Sequence, residues 1–276
     1  MALNVKNDPA DGLPASEAQE WAEQKHEHLR RYLHISFAAR RKFLEAGGGA
    51  TYSELFSGPG RQFRKSTDDF FDGSPLVAYR ESVRTDTTFT QMHLGDEQQS
   101  FCTAVEKRLA KLGARVTTHP LKAEAAAKRI VRMLGDNAIN VAFLDPFNLG
   151  DLPFAIIETF SRLQKIDLII HVSAMDLMRQ LPGAMGGAKT TLDRFAPRWR
   201  EALAGLQPGK EARGKFIEYW LKLIRGLGFK DARVWQLIRG PTNQPLYWLV
   251  LVAKHPLAAQ FWDEVGKSNQ RDLFGG

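Results

Sequence analysis

Cysteine is almost absent. Cys102 is the one thiol in 276 residues, which excludes an internal disulfide framework and any metal cage built from the cysteines of one chain. The seven histidines never fall at metal-ligand spacing such as H-E-x-x-H. There is no Gly-x-Ser-x-Gly elbow, and "GPGRQFRKS" contains no Gly-Lys-Ser/Thr, so serine-hydrolase and Walker-type phosphate chemistry are excluded too. No apolar run approaches the roughly 18 residues of a membrane span, and "MALNVKNDPADGLP" lacks an apolar signal core. The expectation is a cytoplasmic protein in a reducing compartment, with no membrane partner.

What remains is ordinary globular material, 43% hydrophobic and 25% charged, enough to bury a full core. The net charge of +7 favours a polyanionic partner over a cationic one. After a polar leader, Ser16 reads as the N-cap of a long or broken helix with Trp21, Leu29, Tyr32 and Leu33 at helical spacing, ending at Gly47 to Gly49. "ATYSELF" then reads as a buried strand, and residues 58 to 73 as a polar loop. Ser74 as N-cap and Pro75 behind it start the helix "PLVAYRESV".

From there strands and helices alternate. "TTFTQMHL", "ARVTTH", "INVAFLD" and "IDLIIHVS" are strands; between them lie helices such as "EQQSFCTAVEKRLAKLG", with Phe101, Val105 and Leu109 four apart. Such alternation implies right-handed crossovers and a parallel sheet covered on both faces. Residues 175 to 209, punctuated by glycine and proline and carrying basic residues, read as an insertion. The helix "RGKFIEYWLKLIRGLG" and the hairpin "ARVWQLIRG", "PTNQ", "LYWLVLVAKH" close the pattern. The expected architecture is a Rossmann-like class I methyltransferase fold. It has a mostly parallel seven-stranded sheet ending in an antiparallel hairpin and spans residues 50–262. A helical extension at 1–49 precedes it and a tail at 263–276 follows. A winged-helix module over 213–255 is the alternative for the helix and hairpin.

The glycine turn after "ATYSELF" places backbone N–H groups at the carboxyl edge of a parallel sheet, where ligands bind in such folds. Glu54 is set to contact a ligand there, and Ser57, Gly58 and Gly60 lie in the loop. About 14 residues separate the glycines from the next helix, which weakens any dipole contribution, and "DGSP", with Asp72 and Ser74, is the segment that can fold back to complete the site. "HLGDE" puts Asp96 where an acid accepts from ribose hydroxyls; a helix N-cap is the competing role. "AFLDPFN" ends its strand at Asp145. Amino-directed methyltransferases use a polar residue, two prolines and an aromatic at that point to hold an exocyclic amine and stack on an extruded base. Asp145 and Phe147 are the candidates here, with a single proline between them. His171, Ser173, Asp176 and Arg179 follow the fifth strand toward the same edge, while Cys102 reads as a buried small residue.

Several segments are jointly distinctive: "WAEQKHEHLRRYL", "TYSELFSGPGR", "DGSPLVA", "AFLDPF", "DLIIHVSAMDLMRQL" and "LYWLVLVAKHPLAAQFW". Over nearly the whole chain they resemble the three-Cys-motif partner (TcmP) proteins. The resemblance implies a methyltransferase-type Rossmann domain and a role beside a partner, encoded nearby, that carries three cysteines and resembles radical S-adenosylmethionine proteins. Glu54, Gly58, Gly60, Asp72, Ser74 and Asp145 fall on the corresponding strand ends and "DGSP" segment. The departures are the single proline and a third strand, "ARVTTHPL", without the acid that often holds adenine. The tail "SNQRDLFGG" is similar to the peptide that docks bacterial proteins on the replication sliding clamp, with Gln270, Asp272, Leu273 and Phe274 in the matching positions. The leading expectation is an S-adenosylmethionine-dependent methyltransferase-like protein acting on nucleic acid. The alternatives are a non-catalytic partner that recruits the three-cysteine protein to DNA, and a small-molecule methyltransferase.

Overall fold

The computed structural model describes residues 4–18, 21–240 and 242–255, which fall into two compact units meeting in the chain at Phe143 and Leu144. The first unit begins with two short strands, β1 (Val5–Asn7) and β2 (Pro14–Ala18), then the helices α1 (Ala22–Ile35) and α2 (Phe37–Glu45). Next come β3 (Gly49–Glu54), β4 (Arg61–Arg64), β5 (Phe70–Asp72), α3 (Ser74–Arg84), β6 (Gln91–Gly95), α4 (Gln99–Lys111), β7 (Val116–His119), α5 (Ala123–Met133) and β8 (Ala138–Leu144).

Four strands run parallel in the order β8-β3-β6-β7. Five of the six residues of β3 and six of the seven of β8 are buried, as expected of parallel strands covered on both faces. Winding proceeds outward from β3 to β7, and the chain then returns to lay β8 on the other side of β3. The order of winding thus reverses at β3, and open α/β sheets bind ligands at the carboxyl end of the strands at such a point. On α4 the predicted stripe of Phe101, Val105 and Leu109 is buried, as is Cys102, whose thiol pKa is pushed up to about 11 by burial. That thiol is inert packing material.

A second, four-stranded sheet, β1-β2-β4-β5, corrects two sequence expectations. Ser16 is no helix N-cap: it lies in β2, opposite Val5 on one side and Gln62 on the other, and α1 starts six residues later with Trp21 as its cap. Pairing with residues more than 40 positions away outweighs the local capping preference. The polar stretch 58–73 is likewise no simple loop, because β4 and β5 pair as an antiparallel hairpin within it.

The second unit carries α6 (Phe154–Phe160), β9 (Ile166–Ser173), α7 (Ala174–Met185), α8 (Leu192–Phe195), α9 (Trp199–Ala202), α10 (Lys210–Gly226), β10 (Asp231–Arg239) and β11 (Pro245–Ala253). β11 pairs antiparallel with both β9 and β10, which realises the predicted terminal hairpin. The predicted insertion at 175–209 contains most of α7 together with α8 and α9. With four parallel strands in the first unit and three strands in the second, the chain has the seven main strands expected. The clamp-like tail, Gln270 to Phe274, lies outside the described residues.

Candidate cofactor and acceptor sites

In the first unit β3 delivers Glu54 to its carboxyl end. Side chains alternate across a strand, so Tyr52 and Glu54 share a face, and the Tyr52 hydroxyl donates to Glu54 Oε2 at 2.8 Å. Ser74 Oγ donates to Oε1 at 2.6 Å. Glu54 is 0% exposed, and a buried carboxylate is tolerable only with such donors. Gly73 is the N-cap of α3, and Ser74 opens its first turn ahead of Pro75. The β4–β5 hairpin absorbs the 14-residue separation: Gly73 N–H donates to the Gly60 carbonyl at 2.9 Å, so "DGSP" folds back and the start of α3 lies beside Glu54. Asp72 is engaged on both oxygens, by Arg61 Nη1 at 2.9 Å and Arg80 Nε at 2.7 Å, and so holds the hairpin together.

The glycine loop is tied to the end of β6. Ser57 N–H donates to the Gly95 carbonyl at 2.9 Å and Gly58 N–H to Asp96 Oδ2 at 3.1 Å, while Asp96 Oδ1 accepts from Gln98 N–H at 2.9 Å. Burial raises the Asp96 carboxyl above its ordinary pKa against the pull of these two N–H groups. The carboxylate retains acceptor sites beyond those two bonds. Gly58 and Gly60 both have positive φ, +57° and +83°, but their surroundings differ. A Cβ on Gly58 would meet only Ser16 Oγ, at 3.9 Å, which leaves room for a ligand against the backbone. On Gly60 it would meet Leu76 Cδ1 at 2.8 Å and Val105 Cγ2 at 2.9 Å, so that glycine is required for packing. Gly58 and Asp96 thus could hold a nucleoside-type cofactor, whereas Glu54, expected from the sequence to contact the ligand, is instead fully buried and bonded by Tyr52 and Ser74, and Gly60 and Asp72 support the loop from behind.

Sequence reasoning missed the anchor of this loop. Arg108, 4% exposed, donates from Nη1 to the Pro59 and Pro14 carbonyls, each at 2.7 Å, and grips Asp11 through Nε and Nη2 at 2.7 and 2.8 Å. It holds the Asp11 carboxyl below the ordinary carboxylate range. One guanidinium thereby fixes the glycine loop to the connection between β1 and β2. The available signal was an arginine three residues after Val105 on the buried stripe of α4. A second missed feature is the stacked pair His93–His119, with Nδ1 and Nε2 3.3 Å apart and both rings buried.

The second unit has its own polar cluster. Asp145 follows β8, and His171 Nδ1, on β9, donates to Asp145 Oδ1 at 2.9 Å. His171 is 2% exposed and Asp145 22%, so the carboxylate is the accessible member. The Tyr247 ring on β11 lies 5.0 Å from the His171 ring, and burial, then the Asp145 charge, drives its hydroxyl pKa upward. Phe147, two residues on, is 64% exposed, unusual for an aromatic of its size. Of the other residues after the fifth strand, Ser173 caps α7 by accepting from Asp176 N–H at 3.1 Å. Asp176 accepts from Leu149 N–H, Gln180 and Arg179, which hold its carboxyl below the ordinary range against the effect of burial. These residues brace the turn after Asp145. Among the described residues no group of three or more His, Cys, Asp or Glu is arranged to hold a metal ion, and no helix is long and apolar enough to cross a membrane.

No protein-family model matches the chain, and no curated protein matches it in sequence. Similarity appears at the level of structure. A DUF519 protein from Legionella pneumophila superposes with a TM-score of 0.52 at 12% identity, over 87% of this chain and 91% of that one. A Pyrococcus horikoshii protein described as an RNA methyltransferase gives 0.39 at 10% identity, over 86% and 88%. The plantazolicin methyltransferase BpumL, in complex with SAH, gives 0.34 at 10% identity, over 85% and 89%. At these identities the likeness is one of fold: the chain is an α/β protein with a Rossmann-like parallel sheet.

Proposed function

We propose that this chain is an S-adenosylmethionine-dependent methyltransferase acting on nucleic acid, working beside a three-cysteine partner as its resemblance to TcmP proteins implies. The observation that carries the reading is the arrangement at the end of β3. A buried, doubly bonded Glu54 leads into a loop whose Gly58 is open above its backbone and tied to Asp96. Asp96 would accept from ribose hydroxyls and Gly58 would lie against the cofactor, while Glu54, accepting from Ser74 and Tyr52, ties the end of β3 to the start of α3. When bound, S-adenosylmethionine supplies an electrophilic methyl group.

Acceptor binding is assigned to the second unit. His171 donates to Asp145 Oδ1 and orients the carboxylate, which would accept from an amino N–H of the acceptor. The exposed Phe147 ring offers a face on which an unstacked base can lie. The chain's contribution is positioning, which can supply a large part of a rate enhancement. The test is incorporation of labelled methyl groups from S-adenosylmethionine into DNA, RNA and small-molecule mixtures. The reading expects incorporation into nucleic acid, lowered about 100-fold or more by Asp145→Ala. Incorporation only into small molecules, or none in protein that binds S-adenosylhomocysteine, would refute it; the second result would support the non-catalytic partner role.

A further inference from the structure

The positive charge is concentrated in one segment. Between residues 189 and 239 lie twelve lysines and arginines against five acids, a surplus of seven equal to the net charge of the whole chain, so the remaining residues balance. The segment is well packed on its inner side. Phe195 stacks on Phe216 and Trp220 at 6.1 and 4.8 Å, Trp199 meets Phe216 edge-on at 5.6 Å, and the Tyr219 hydroxyl donates to the Pro197 carbonyl at 2.8 Å. This buried aromatic cluster fixes α8, α9 and α10 as one scaffold, with Lys210 and Lys222 exposed on α10 and Lys189 and Lys230 exposed on the flanking chain.

Four of the five acids are already paired within the segment: Glu201 with Arg198, Asp193 with Arg200, Glu218 with Lys215, and Asp231 with Arg233. Lys189, Lys210, Arg213, Lys222 and Lys230 form no ion pair among the described residues, and the four lysines are exposed. Among the residues whose side chains are described, the exposed large hydrophobics, such as Phe147 and Met175, lie outside the segment. Nothing described in it is suited to insert into a bilayer or to form the apolar centre of a protein interface. Spaced cations on a rigid scaffold suit a partner that presents anions at regular intervals along a backbone.

We propose that the α8–α10 scaffold is the surface that binds the nucleic-acid phosphate backbone. The proposal rests on the nucleic-acid reading of the acceptor and gives it a location. The test is fluorescence anisotropy of a labelled 20-base-pair DNA duplex with the full chain over a salt series. A Lys210→Ala/Lys222→Ala/Lys230→Ala variant is compared with a Lys42→Ala/Lys107→Ala/Lys122→Ala control that removes the same charge from the first unit. The scaffold variant is expected to lose at least tenfold in affinity and about 2 to 3 from the log–log salt slope, at roughly 0.9 per phosphate contact, with the control within threefold of wild type. If both variants bind as wild type, or the control loses as much, the location is wrong while the nucleic-acid reading stands. Equal affinity for polyglutamate would overturn it in favour of an acidic protein partner. An absence of duplex binding in protein that still titrates with S-adenosylhomocysteine would remove the surface and the nucleic-acid reading together, and leave the cofactor reading intact.

Discussion

The two candidate sites are built in different ways. In the first unit the glycine loop is held mainly through the backbone: Ser57, Gly58, Pro59 and Gly60 each engage through a main-chain N–H or C=O. In the second unit the site consists of side chains from three separate strands or strand ends, Asp145, His171 and Tyr247, meeting one another. A backbone-held loop leaves a local imprint, because its conformation demands glycine, whereas a cluster assembled from residues 145, 171 and 247 leaves none that a single sequence displays.

If the glycine loop depends on its anchor, Arg108→Met should have the largest effect. It breaks a buried ion pair and leaves the Pro59 carbonyl without its donor, which should cost about 3–5 kcal/mol in urea unfolding. A loss below about 1 kcal/mol would show that the loop holds itself. Acid should discriminate next. Burial, then the His119 charge, lowers the His93 pKa to about 4, against an ordinary 6.5. Folding therefore favours the neutral ring, so this contribution is complete above pH 6.5 and is lost as pH falls toward 4. It amounts to roughly 3 kcal/mol at most. His93→Gln should flatten that part of the stability–pH curve, and an unchanged curve would remove the pair from the account.

Within the loop, Gly60→Ala should cost about 2–4 kcal/mol, from strain at positive φ plus overlap with Leu76 and Val105, while Gly58→Ala should cost about 1 kcal/mol from φ alone. Equal costs would cancel the distinction between a packing glycine and a ligand-facing one. A comparably small effect is expected in the second unit. His171→Gln should destabilise by about 1–2 kcal/mol and leave S-adenosylhomocysteine affinity within twofold; a large loss of that affinity would contradict the assignment of this cluster to acceptor binding.

Much of the fold was legible because its signals are periodic. "IDLIIHVS" coincides with β9 residue for residue, and α4 shows its stripe in Phe101, Val105 and Leu109. The N-terminal strands were not legible. Ser16 followed by a helical pattern carries a strong local cap signal, and only its pairing with Val5 and Gln62 makes it part of a strand. In the candidate cofactor site, the strand-end position of Glu54 and the glycine turn behind it were readable by spacing. The division of labour between Gly58 and Gly60 depends on Leu76 and Val105, which approach from two different helices.

The most direct measurement is a calorimetric titration of the full chain with S-adenosylhomocysteine, repeated with Asp96→Asn. The account predicts saturable one-to-one binding in the wild type and at least tenfold weaker binding in the variant, measured at a temperature where both are folded by circular dichroism. No binding by correctly folded wild-type protein, or equal binding by both, would contradict the claim that the loop after β3 is a cofactor site read by Asp96.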